Sequence, residues 1–155
     1  MAFEVTATNR QIIPAGQSAV FTAVVVPCRR RLVQFRLGTG NLELSGRGCN
    51  VVTGCPCCRP NTVNYKATFS GNVAVPEGGT AAETISVGIA VNGEVLQDSI
   101  MQSTPAAVEQ FNAVSKTLTI PILKGCCQSV TVENNSTQDI ALQNAILDID
   151  YLGVV

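Results

Sequence analysis

The sequence has no histidine and no tryptophan, and only 14% of it is charged. Without histidine there is no Ser-His-Asp or Cys-His nucleophile pair and no mixed Cys/His zinc site. The acids are scattered and show no paired-carboxylate motif, and the glycines of GTGN (38–41) and EGGT (77–80) lack phosphate-loop spacing and read as turns. We therefore expect no enzyme. No apolar run approaches the ~20 residues of a membrane span. The opening MAFEVTATNR has no basic segment followed by an apolar one, so no secretory signal is seen. The expectation is synthesis in a cytoplasm, with departure by lysis or assembly and no membrane or nucleic-acid partner.

What the chain does have is cysteine: seven, four of them in CNVVTGCPCC (49–58) and two adjacent at Cys126 and Cys127. Cys49, Cys55, Cys57 and Cys58 could hold zinc through thiolates. Their spacings of five, one and zero intervening residues fit the usual C-x₂₋₄-C knuckles poorly. Cys55-x-x-Cys58 lies in a Pro/Gly loop rather than at a helix start, where a dipole would lower a thiol pKa. Neighbouring pairs such as Cys57-Cys58 and Cys126-Cys127 suit bonding to two different partners, one in the same chain and one in another. An odd total leaves one sulfur free or intermolecular if the others pair internally. Reduced thiols filling small gaps are the plain alternative, with Cys28 at the end of an apolar run as the example. No cofactor is expected, zinc being the one candidate.

Charge is unevenly distributed. Residues 1–70 hold eight Lys/Arg against Glu4 and Glu43, about +6; residues 71–155 hold nine acids against Lys116 and Lys124, about −7. Either a folded sheet interleaves the halves, or subunits meet basic face to acidic face. Arg29, Arg30, Arg31 and Arg36 form a basic patch, read as solvated or subunit-facing.

Period-2 patterning dominates, as half-buried strands require. In ETISVGIAV, Ile85, Val87, Ile89 and Val91 share one face, with small residues outside. Asn92-Gly93 between this run and the next marks a hairpin, with strands expected over 83–91 and 94–99. KTLTIPIL points Leu118, Ile120 and Ile122 inward, and Pro121 makes it an edge strand or a bulged one. SVTVEN buries Val130 and Val132, and Asn134-Asn135-Ser136-Thr137 reads as a polar turn. DIALQNAILDIDYL changes phase near Asn144-Ala145, which predicts a β-bulge before Leu147, Ile149 and Tyr151. SAVFTAVVV is apolar on both faces, as in a central strand. RLVQFRL and TVNYKATF are further strands. STPAAVEQFNAVS places Val108, Phe111 and Val114 at helical spacing behind Thr104-Pro105, so one short helix near 105–114 competes with an extended strand. The chain reads as all-β, one antiparallel β-sandwich or jelly roll over 1–155.

The C-terminal Gly-Cys turn followed by QSVTVENNSTQDIALQNAILDIDYLG resembles the last two strands of trimeric jelly rolls of the tumour-necrosis-factor and complement type. ATNRQIIPAGQSAVFTAVV, turning at Pro14-Ala15-Gly16-Gln17, is similar to the first strands of such domains in bacterial and phage surface proteins. The resemblance implies a closed trimer of side-by-side protomers and no catalysis. It leads us to expect a structural protein of the virion surface: a head-decoration or fibre component whose partners are copies of itself and a capsid or fibre protein. The alternatives are a disulfide-cross-linked spore or bacterial cell-surface filament subunit, and a carbohydrate- or receptor-binding module.

Overall fold

The structure, a computed structural model, describes residues 2–27, 32–46, 62–123 and 127–154. The strands among them are β1 (Ala2–Ala7), β2 (Gln11–Ile13), β3 (Ala23–Val26), β4 (Val33–Phe35), β5 (Leu42–Leu44), β6 (Thr62–Ala74), β7 (Ile85–Val91), β8 (Glu94–Val95), β9 (Met101–Ser103), β10 (Asn112–Leu123), β11 (Gln128–Asn134) and β12 (Ile140–Val154). They form two antiparallel sheets. The first runs β10-β6-β12-β1-β3, with β2 also pairing with β12; the second runs β4-β5-β11-β7-β8, with β9 also pairing with β7. The alternating positions meet between the sheets in one core that includes Phe3, Val5, Phe21, Leu42, Tyr65, Phe69, Ile89, Ile120, Val132, Leu142 and Leu147. This is an all-β sandwich of jelly-roll type.

Several local expectations hold. Asn92 and Gly93 take φ of 51° and 83°, the two positive values that a tight hairpin between β7 and β8 needs. Leu118, Ile120 and Ile122 are buried, and β10, which carries Pro121, is the end strand of its sheet, where a missing N–H costs no ladder bond. The pairing of β12 with β6 slips between Gln143 and Ile146, with Asn144 at φ 52°. The bulge lets Ile140 and Leu142 before it, and Ala145, Leu147 and Ile149 after it, all face the core.

Two expectations are corrected, and the choice left open at 105–114 is decided. The apolar run 18–26 is not a central strand: only Ala19 and Phe21 are buried, while Ala23–Val26 pairs with β1 alone and is exposed throughout. The place beside β12 goes to β1, which matches it residue for residue over six positions. There is also no helix over 105–114. Glu109 sits at φ 62°, its N–H donates to the Val75 carbonyl at 2.8 Å, and Val114 is buried as part of β10. Its apolar spacing serves separate elements: Val108 is exposed and Phe111 half-buried.

Finally, the strand expected over 94–99 ends at Val95, followed by a 3-10 turn at Gln97–Ser99. That segment folds over β7 at Gly88, and the turn at Asn135 and Ser136 bonds to Ser86, so Ser86, Gly88 and Ala90, read as the outer face, are buried as well. A Cβ on Gly88 would come within 2.4 Å of the Val95 side chain. Ser99 seals the contact by accepting the Ile89 N–H at 2.8 Å.

Among the described residues two ion pairs link the charge halves. Arg10 pairs with Glu109, and Lys66 Nζ lies 3.3 Å from Asp150 Oδ2, each a bridge from the basic half to the acidic half. The buried Asn134 closes the turn between β11 and β12. Its Nδ2 donates to the carbonyls of Ile13 and Gln138, both at 2.9 Å, and its Oδ1 accepts the Ser136 N–H at 2.9 Å.

Candidate functional site

The predicted site residues separate sharply. Cys28, Cys49, Cys55, Cys57, Cys58, Cys126, Arg29, Arg30 and Arg31 lie outside the described residues. Cys127 is half-buried and immediately precedes β11. Arg36 is exposed, in the turn between β4 and β5. Among the described residues no group of three or more His, Cys, Asp or Glu is placed to hold a metal, and no helix is long and apolar enough to cross a membrane.

The surface with the most marked character is the outer face of the first sheet. Because β1, β6, β10 and β12 bury alternate residues, the remaining alternates face outward, and the register fixes them in rows. One row runs Thr117, Thr68, Asp148, Glu4, Val26 across five strands. A second runs Ser115, Ser70, Ile146, Thr6, Ala23, and a third Thr119, Lys66, Asp150. On β10 and β6 these side chains are short hydroxyls apart from Lys66, so that part of the face lets another backbone approach closely. Thr68 and Thr117 hydroxyls meet at 3.1 Å across the β6–β10 pair.

Within these rows the charges are unbalanced: Glu4, Asp148 and Asp150 stand against Lys66. Asp148 Oδ1 is shut off from solvent and has no hydrogen-bond partner. Burial, and after it the negative charge of Asp150, push the Asp148 carboxyl above its ordinary value; Lys66 acts in the opposite direction.

The edge of this sheet is apolar. Val24 is 37%, Val25 55% and Val26 38% exposed, with Val20 (38%) just before the strand and Ile146 (39%) in the adjoining rows. The far side of β3 has no strand beside it among the described residues. Soluble domains usually blunt a free edge with charge, proline or a covering segment. The opposite edge, β10, carries Pro121 and the exposed Lys116; β3 carries only alanine and valine.

The arrangement of strands decides the fold type. The chain has the jelly-roll fold of the tumour-necrosis-factor and complement type. It superposes on the globular domain of zebrafish complement 1qA with a TM-score of 0.65 at 12% identity, covering 99% of this chain and 98% of that one. Against the Eiger tumour necrosis factor of S. frugiperda the TM-score is 0.66 at 10% identity, covering 100% and 94%. Against murine APRIL it is 0.59 at 11% identity, covering 97% and 98%. No family model matches the sequence, and no curated protein does. The likeness resides in the path of the backbone, and the outward residues described above are this chain's own.

The outward rows are what sequence reading missed. Asp148 and Asp150 were legible only as the face opposite Leu147 and Ile149. Their rows emerge once the partners of β12 are known.

Proposed function

We propose that the protein is a non-enzymatic structural subunit that assembles with copies of itself, as a closed trimer, on a virion surface. The observation that carries this reading is the β3 edge: a run of four exposed residues, Ala23–Val26, all apolar, on an unblunted strand. Covering such an edge removes apolar area from water, and a flat neighbour of short hydroxyl side chains is the surface that can come close enough to do so. Charge supports the same pairing. The acid-rich rows of the first sheet call for a cationic counterpart, and Lys116 is exposed on the edge strand β10. The resemblance to trimeric jelly rolls supports three-fold closure, and the histidine-free sequence supports the absence of catalysis.

Sedimentation velocity tests the assembly. The native chain is expected near 49 kDa, three times its 16.2 kDa mass, with Val25→Asp and Lys116→Glu shifting it toward monomer. A native protein that sediments as a 16.2 kDa monomer at every concentration, reduced or oxidised, overturns the reading.

The finer role, head decoration or fibre component, draws on the likeness of ATNRQIIPAGQSAVFTAVV to phage surface domains. Antibody labelling of particles tests it, label on heads or fibres being the expected result. Label on spores or cells, with reductant-sensitive ladders on non-reducing gels, favours the cross-linked filament subunit instead.

A further inference from the structure

The second sheet carries a different kind of surface. Beside its edge strand β4 lies a cavity of about 430 Å³ lined by Gln34, Phe35, Arg36, Thr39, Asn41 and Glu43. Its volume falls in the range of roughly 300–1,000 Å³ usual for small-molecule sites. Gln34 and Glu43 are directly opposite each other on β4 and β5 and both face outward; Arg36, Thr39 and Asn41 come from the turn between those strands.

That turn is held firmly. The Phe21 N–H donates to the Thr39 carbonyl at 3.0 Å and the Gly38 N–H returns a bond to the Phe21 carbonyl at 3.1 Å. Thr39 Oγ1 donates to the Arg36 carbonyl at 2.7 Å. Gly40 passes so close to the Ala19 carbonyl that an added Cβ would lie 2.0 Å from its oxygen. Phe35 is pinned edge-on by Phe3 and Phe21, at centroid distances of 6.4 and 6.5 Å. The backbone of the rim is therefore set before any ligand arrives, and only the exposed side chains on it have to be ordered on binding.

The chemistry of the lining is unspent. Among the described residues, the side chains of Gln34, Arg36, Asn41 and Glu43 make no hydrogen bond or ion pair within the protein. Four planar polar groups thus converge on one cavity: two amides that both donate and accept, a guanidinium that only donates and a carboxylate that only accepts. An apolar ligand would leave them unsatisfied. An anion would meet Glu43 and a cation would meet Arg36. A neutral ligand with adjacent hydroxyls, each able to donate and accept, satisfies all four.

We infer that the β4–β5 cavity is a binding site for a neutral saccharide, with Arg36 and Glu43 engaging its hydroxyls from opposite electronic sides and Gln34 and Asn41 completing the ring of contacts. None of the lining residues is on the β3 edge, so the titration below reads this site and not self-assembly.

Isothermal titration calorimetry of the full chain tests it. The probes are chitotetraose, cellotetraose, maltotetraose and lactose, with sialyllactose and a heparin hexasaccharide as anionic comparators. We expect at least one neutral sugar to bind, with Arg36→Ala and Glu43→Gln each weakening it roughly tenfold or more, the scale of a lost hydrogen bond to a charged group. Thr131→Ala, on the same sheet and outside the cavity, should bind as the native chain does. Arg36 and Glu43 are both exposed, and circular dichroism melts of the variants verify folding. The inference is overturned if no neutral sugar binds, if the anionic probes bind more tightly than the neutral ones, or if the two variants bind like the native protein.

Discussion

Replacing Asn134 by alanine removes three hydrogen bonds from a side chain that is 1% exposed. The carbonyls of Ile13 and Gln138 lose their donor and the Ser136 N–H loses its acceptor. At roughly 0.5–1.5 kcal/mol net per bond, and more where a group is left buried without a partner, the cost is about 2–4 kcal/mol. For a domain of this size that lowers Tm by roughly 5–15 °C. The assay is urea unfolding followed by far-UV circular dichroism, at one fixed chain concentration so that assembly contributes equally to both proteins. The denaturant slope should be unchanged, because the surface exposed on unfolding is the same. Asn134→Asp sharpens the test. It keeps an acceptor for Ser136 but turns a carboxylate oxygen toward two carbonyls, so at neutral pH it should destabilise more than alanine does. A loss for Asn134→Ala below about 0.5 kcal/mol, or an aspartate variant more stable than the alanine one, refutes the reasoning.

Two further outcomes follow from the same geometry. Asp148 has a folded pKa raised from 3.8 by burial and by Asp150, so its contribution is fully present below that value and is lost as pH rises through the folded pKa. Asp148→Asn should therefore raise stability at pH 7, with the gain vanishing as the pH falls to about 4; a difference that does not change with pH contradicts this. Gly40→Ala forces the β4–β5 turn away from Ala19 and should cost about 1–3 kcal/mol in thermal melts and also weaken the saccharide binding inferred above; native-like stability would show that the contact is not tight.

Local chemistry was readable from the chain wherever the deciding residues are neighbours in sequence. Asn92-Gly93 announces its hairpin because both residues accept positive φ. The change of phase at Asn144-Ala145 marks the bulge because a strand has only two faces, and Pro121 marks an edge because it has no N–H to share. The errors fall where the deciding partner is remote. Ala23–Val26 has the composition of a central strand, yet its position depends on β1 having taken the place beside β12, which no local pattern encodes. The residues 105–114 have helical spacing, but Glu109 answers to Val75, thirty-odd residues earlier in the chain. Gly88 looked like a small outward residue; it is small because the segment after Val95 lies on it. The β4–β5 cavity was missed except for Arg36. The visible signal was an outward Gln34 and an outward Glu43 flanking a glycine turn, and only the pairing of the two strands turns that into a site.

The pairing of β1 with β12 brings Ala2 opposite Asp150, and β12 runs on to Val154. That overhang of four residues spans about 13 Å, so a short bridging peptide could join the two ends. With Ala2 and Val154 so joined, the molecule should accept being opened elsewhere, at the Asn92-Gly93 loop for example. Asn92 is hydrogen-bonded to Ser129 at the start of β11, beside the end of β12, so that loop opens at the same pole as Ala2 and Asp150.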